Sequence, residues 1–177
     1  MANGVNEYKI EVATSSDAER LSELVNSAYR GDYARQGWTT EADLLDGTRT
    51  DANALKEIIE RPGTVILKYV EREKVLACVE LEIQHRKLYL GMLTVEPSLQ
   101  GRGVGKILLN AAEDFARQNQ CKSIHMTVIT VRKELIEWYL RHGYQDTGIR
   151  KPFAFTDPRF GKPRQPLEFM VMEKKLD

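Results

Sequence analysis

The spacing of apolar positions divides the chain into short strands and amphipathic helices. Residues 8–13 have β character, and Ser16 with Glu19 then forms an S-x-x-E capping box ahead of Leu21, Leu24, Val25 and Ala28 at helical spacing. Residues 29–51 break this periodicity. They are rich in Gly, Asp, Thr and Arg, carry Trp38 among charges, and read as a loop with short helical pieces. Residues 53–60 predict a helix that buries Leu55, Ile58 and Ile59 and stops at Pro62-Gly63.

Three β-rich runs follow, 64–70, 75–84 and 87–95, with polar breaks at 71–74 and at His85-Arg86, the pattern of an antiparallel meander. In the middle run Val79, Leu81 and Ile83 share one face, while Cys78, Glu80, Glu82 and Gln84 share the other. From Val104, the residues Ile107, Leu108, Ala111, Ala112, Phe115 and Ala116 form a single apolar helical stripe ending near Asn119. A strand at 123–128, a helix at 133–142 closed by Gly143, and strands at 144–149 and 168–173 complete the series. Between the last two strands, residues 150–166 form a long connection containing Arg150, Lys151, Arg159, Lys162 and Arg164 against one Asp. The expected class is α/β of the α+β kind, a mostly antiparallel sheet flanked by helices.

Composition narrows the function. At 177 residues, with no repeat or linker, the chain is expected to form one domain over 1–177. Lys plus Arg number 26 and Asp plus Glu number 26, so no net charge draws the chain to nucleic acid or to an anionic membrane. Cys78 and Cys121 lack paired spacing and read as reduced thiols. The first residues lack an apolar signal core, and no run of about 18 apolar residues occurs, so the expectation is a soluble, cytoplasmic protein. His85, His125 and His142 match no metal-site spacing, and no metal is expected.

The strongest chemical signal runs from Leu93 through Gln100-Gly101-Arg102-Gly103-Val104-Gly105-Lys106, a strand leading through a glycine-rich turn into a helix. Glycines let backbone amides approach an anion closely, and a helix N-terminus adds partial positive charge, which together suit a diphosphate. A Walker loop is excluded because Gln100 stands at its first glycine and Ile107 at its hydroxyl. A dinucleotide fingerprint is excluded because Lys106 occupies its third glycine.

Gln100, Gly103 and Gly105, after a strand ending in Leu-x-Val-x-Pro, resemble the acetyl-coenzyme A signature of the GNAT superfamily of N-acetyltransferases. Trp138-Tyr139-x-x-x-Gly143-Tyr144 resembles that family's aromatic segment. The resemblance implies a seven-stranded sheet with about four helices, splayed so that the pantetheine arm enters like an extra strand. It implies that acetyl-CoA is held by Leu93, Thr94, Val95 and by residues Gln100, Gly101, Arg102, Gly103, Val104, Gly105 and Lys106. Tyr139 matches the family's frequent general acid and a cofactor contact. Arg132 stands where many members carry an Asn that touches the cofactor.

Deprotonating an ammonium acceptor requires a base, and Glu80 and Glu82, on the strand before the cofactor strand, are the candidates. Tyr29, Trp38 and Glu41 are candidate acceptor contacts, in a segment that covers the acceptor site in similar folds. The implied reaction is direct acetyl transfer to an amine of a small molecule or peptide, with a homodimer compatible by resemblance. A non-catalytic acyl-CoA-binding module and a transferase for longer acyl groups are the rival readings.

Overall fold

The computed structural model describes residues 7–153 and 158–177. Strand β1 (Tyr8–Val12) leads to Thr14, whose amide donates to Asp17 Oδ2 at 2.8 Å. Residues Ser15–Asp17 form a 3-10 turn, so α1 (Ala18–Tyr29) starts one step later than the sequence signal placed it. The cap is therefore the Thr14–Asp17 pair. Ser16 and Glu19 do not form the expected box, because Asp17 also binds Lys68 at 3.0 Å and so fixes the turn at that residue. Helix α1 buries Leu21, Leu24, Val25 and Ala28 completely, as its spacing predicts. Beyond it, residues Asp32–Gln36 form a 3-10 turn and β2 is the two-residue Leu45–Asp46, so the polar segment is a loop with short ordered pieces. Asp51 caps α2 (Ala52–Glu60) by accepting from the Ala54 amide at 2.8 Å.

β3 (Thr64–Glu71), β4 (Lys74–Gln84) and β5 (Lys87–Val95) form the antiparallel meander, with β1 pairing outside β3. The turns carry Arg72, Glu73 and His85 at positive φ. Alternation along β4 divides two cores. Val79 and Leu81 pack against the α3 side, whereas Cys78 packs with Leu24, Val25 and Leu55 from α1 and α2. Each fully buried Leu or Ile in these layers contributes roughly 1.5–3 kcal/mol of transfer free energy.

α3 (Val104–Gln118) carries the chain over to β6 (Ser123–Ile129), and this helical crossover allows β6 to run parallel to β5. The two pair only through Leu88↔Ile124 and its flanking partners Lys87↔Ser123 and Tyr89↔His125. Beyond Tyr89 they diverge, which is the expected splay. α4 (Lys133–Arg141) then packs on the α3 side through Leu135, Ile136, Trp138 and Tyr139.

β7 (Gln145–Pro152) and β9 (Glu168–Lys175) complete a seven-stranded sheet ordered β1-β3-β4-β5-β6-β9-β7. β7 continues three residues past its expected end at 149. Its register shifts between Asp146 and Arg150, where Gly148 has φ 84° and donates to Asp146 Oδ1, and this bulge disguises the strand's continuation. The basic connection is likewise shorter than expected, since β8 (Lys162–Pro163) within it pairs with β2. Arg150 is held by Asp146 at 2.9 Å and Arg164 lies 3.6 Å from Asp46, so neither is a free cation. Among the described residues, no helix is long and apolar enough to cross a membrane, and no group of three or more His, Cys, Asp or Glu is gathered for a metal.

Candidate active site

Glu96 accepts from the Ser98 amide at 2.8 Å and starts the short turn Pro97–Leu99, after which the chain must reverse into α3. Gly101 and Gly103 make that reversal at φ 82° and 86°, with Gly103 as the N-cap of α3. A Cβ at either would meet no atom within 4 Å, so glycine is required there by the backbone and the space in front is open. Gly105 serves a different purpose. A Cβ there would lie 3.1 Å from Trp138, so its absence lets α3 and α4 approach.

A cavity of about 500 Å³ opens in front of this turn. Leu93, Val95, Gln100, Gly101, Gly103, Val104, Gly105, Lys106 and Tyr139 line it, as does Trp138. Three of the expected cofactor residues stand apart. Thr94 is buried on the α1 side and donates to Met92 O, Arg102 is exposed outside the cavity, and Arg132 faces elsewhere. Strand alternation removes Thr94, because it pairs with Cys78 on the opposite face of the sheet.

The side chain of Gln100 is fully engaged. Its Oε1 accepts from the amides of Trp38 at 2.8 Å and Thr39 at 3.3 Å, and its Nε2 donates to Thr39 Oγ1 at 2.7 Å and Val95 O at 3.0 Å. A Cβ on Gly37 would fall 2.3 Å from Oε1, so Gly37 makes room for the clasp. This clasp places Trp38, a candidate acceptor contact, in the lining of the first cavity, where its ring centre lies 6.0 Å from that of Trp138. The carbonyls of the cofactor strand are also occupied: Tyr29 Oη donates to Leu93 O, and Gln100 takes Val95 O.

A second cavity, of about 280 Å³, lies across the splay. Tyr29, Leu93, Leu135 and Tyr139 line both spaces, so the two meet at these four residues. Tyr139 is 5% exposed, stacks edge-on with Trp138 and Tyr144, and its hydroxyl makes no hydrogen bond among the described residues. Burial pushes its phenol far above the ordinary value and keeps it protonated. Tyr29 and the buried Glu41 line the second cavity, as does Arg132, which donates to Thr39 O and lies 5.9 Å from the centre of the Tyr29 ring.

Glu80 lies opposite Gly91 and Glu82 opposite Tyr89, and facing residues of a pair share one side of the sheet. Gly91 and Tyr89 both line the second cavity. Neither acid lines it; both project from the side of the sheet that carries Gly91 and Tyr89. Burial raises the Glu80 carboxyl above the usual range, against the pull of Arg49 and Arg61 and with the help of Glu82. Glu82 sits at the rim, 3.9 Å from Arg61.

The family model described as the acetyltransferase (GNAT) family matches residues 18–144. The chain belongs to the GNAT acetyltransferase family. An uncharacterized N-acetyltransferase of Bacillus subtilis is 29% identical over 79% of this chain and 92% of its own length. Another uncharacterized N-acetyltransferase, from Methanocaldococcus jannaschii, is 24% identical over 84% of this chain but only 66% of its own length. The fold is similar to that of the PaiA N-acetyltransferase from Thermoplasma acidophilum, solved with coenzyme A, at TM-score 0.68, 20% identity and coverage of 96% and 99% of the two chains.

GNAT acetyltransferases use acetyl-CoA, and the open space before Gly101 and Gly103 at the head of a 15-residue helix fits its diphosphate. The thiols are poorly placed for a covalent step in this GNAT enzyme. Both are buried, and burial pushes Cys78 up to about 12. Sequence reasoning missed Arg30, Arg49 and Tyr89 in the second cavity and Trp138 and His142 in the first. The aromatic motif around Tyr139 carried a signal for Trp138. Nothing local marked Arg49, which reaches the site only because the loop after α1 folds back over β5.

Proposed function

We propose that the enzyme transfers acetyl from acetyl-CoA directly to an amine of a small molecule or peptide, with Tyr139 as general acid and Glu80 as general base. The observation that carries this reading is the position of Tyr139, a buried residue that lines both cavities and whose hydroxyl has no hydrogen-bond partner among the described residues. Acetyl-CoA supplies an activated thioester. Residues Gln100 to Lys106 hold its diphosphate end, and Val95 N–H, turned away from β4 by strand alternation, is free for the pantetheine arm.

Glu80 takes a proton from the acceptor ammonium, directly or through water, since an amine with a pKa near 10 attacks only once deprotonated. Its raised carboxyl makes it a better base than an ordinary surface acid. Glu82, already beside Arg61, is assigned the lesser part. The Leu93 N–H, on the strand beyond its last pairing with β6, stabilises charge on the acetyl oxygen. Tyr139 then donates its proton to the departing sulfur. Tyr29 and Glu41 contact the acceptor, while Trp38 closes the donor side.

The test is acceptor-dependent release of thiol from acetyl-CoA across polyamines, amino acids, aminoglycosides and peptide lysines. Turnover with at least one class supports the reading. Binding of coenzyme A without thiol release for any class refutes it in favour of a non-catalytic module.

A further inference from the structure

The acceptor cavity is charged in one sense. Arg30, Arg49 and Arg132 line it against a single acid, Glu41, and the remaining walls are largely apolar or aromatic, including Phe153, Phe160 and Phe169. Three guanidinium groups gathered in so small and apolar a space repel one another unless an anion joins them. Glu41 supplies one negative charge, and Glu80, which couples to Arg49 but is held above the usual carboxylate range by burial, offsets the rest only in part.

The three arginines differ in what they still have to give. Arg30 is structural: it is 8% exposed, and its Nη1 donates to the carbonyls of Thr48 and Phe160, each at 3.1 Å, and to that of Gly47 at 3.4 Å. Arg132 spends Nη2 on Thr39 O and keeps the rest of its fork. Arg49 forms no hydrogen bond and no ion pair through its guanidinium among the described residues. The Tyr29 ring lies 5.8 Å from its Cζ, Glu80 couples to it electrostatically without pairing, and Arg132 lies at 5.9 Å from the same ring. Two half-used planar forks beside one buried tyrosine form a receptor for a carboxylate.

We propose that the acceptor is an α-amino acid with an apolar or aromatic side chain, its carboxylate held by Arg49 and Arg132 while its amine faces Tyr139. This rests on the acetyltransferase reading above and names the substrate class of the same site. The volume agrees, because about 280 Å³ lies at the small end of ligand pockets and suits an amino acid better than an aminoglycoside. A polyamine would bring two or more positive charges to a cavity that already carries an excess of them.

Thiol release is measured with phenylalanine, its carboxamide, phenethylamine and spermidine, and calorimetry follows N-acetylphenylalanine and N-acetylphenethylamine binding to the enzyme with coenzyme A. The free acid should exceed its carboxamide in kcat/KM by about 10- to 100-fold, the worth of a charge-assisted pair, and only the acidic product should bind measurably. Arg49→Gln should raise KM for the acid far more than it lowers kcat, with Arg49→Lys recovering part of the loss and coenzyme A affinity reporting intact folding. Equal use of the acid and its carboxamide, or an unchanged KM in Arg49→Gln, overturns this inference and leaves the acetyltransferase reading standing. Thiol release with no acceptor in this set or the wider panel overturns both.

Discussion

The amide of Trp38 donates to Oε1 of Gln100 at 2.8 Å, tying the loop after α1 to the turn before α3. The other end of the same side chain grips Val95 O, so one residue joins the coenzyme loop, the cofactor strand and the cover over both. Gln100→Ala leaves two amides and a carbonyl without partners. It should cost about 1–3 kcal/mol in unfolding free energy and weaken acetyl-CoA binding. Denaturant unfolding and coenzyme A titration measure the two effects, and parental values for both would show that the clasp is idle.

Gly103 holds φ 86° with open space where a Cβ would stand. Gly103→Val therefore incurs backbone strain of roughly 1–2 kcal/mol and places methyl groups where a phosphate belongs. Loss of one charge-assisted amide contact corresponds to about tenfold or more in the coenzyme's Kd. A folded variant with unchanged affinity would remove the turn from the binding site.

Periodicity located the helices and the meander well, because α1 and α3 each bury one regular stripe and β4 alternates between two cores, which the sheet can bury in few ways. The glycine turn was legible for a similar reason: Gly101 and Gly103 are local demands of the backbone, visible in any sequence window. The cover was not legible. Trp38 sits beside Trp138, a hundred residues later in the chain, only because Gln100 clasps the loop, and no period encodes that contact. The side of the sheet that Thr94 takes was not legible, because it depends on the register with Cys78 that turns its side chain away from the first cavity. Arg49 was invisible because its place in the second cavity depends on distant segments meeting there.

Tyr139→Phe removes the hydroxyl and keeps the ring packing against Trp138 and Tyr144. If the phenol protonates the departing sulfur, kcat should fall on the order of 10²-fold or more while acetyl-CoA affinity holds. Steady-state kinetics beside equilibrium binding separates these, and parental kcat would strip Tyr139 of its role.

Cys78 and Cys121 lie in opposite cores, both buried, and burial raises both thiols. A thiolate nucleophile is thus suppressed on both sides of the sheet. Replacing both with Ala should leave kcat within about a fewfold of the parent, at a modest cost in stability from the space left behind. Single-turnover experiments should detect no acetylated protein; a labelled acyl-enzyme would contradict direct transfer.

As the proposed general base, Glu80 would couple activity to stability with opposite signs. Its carboxyl, ordinarily near 4.5, is raised in the folded protein, chiefly by burial, so the native state keeps a proton that the unfolded chain releases. Its contribution to stability is full below the unfolded value and is lost as pH climbs through the folded one. The same titration generates the base, so kcat/KM should rise with pH just where this stability is given up. Glu80→Gln keeps the shape and abolishes the charge: the variant should unfold at higher denaturant than the parent at neutral pH, with the gap closing toward pH 4. Its kcat should fall about 10²- to 10⁴-fold. Chemical unfolding at several pH values, run beside the pH–rate profile, tests the pairing, and a variant that is both less stable at neutral pH and fully active would exclude Glu80 as the buried base.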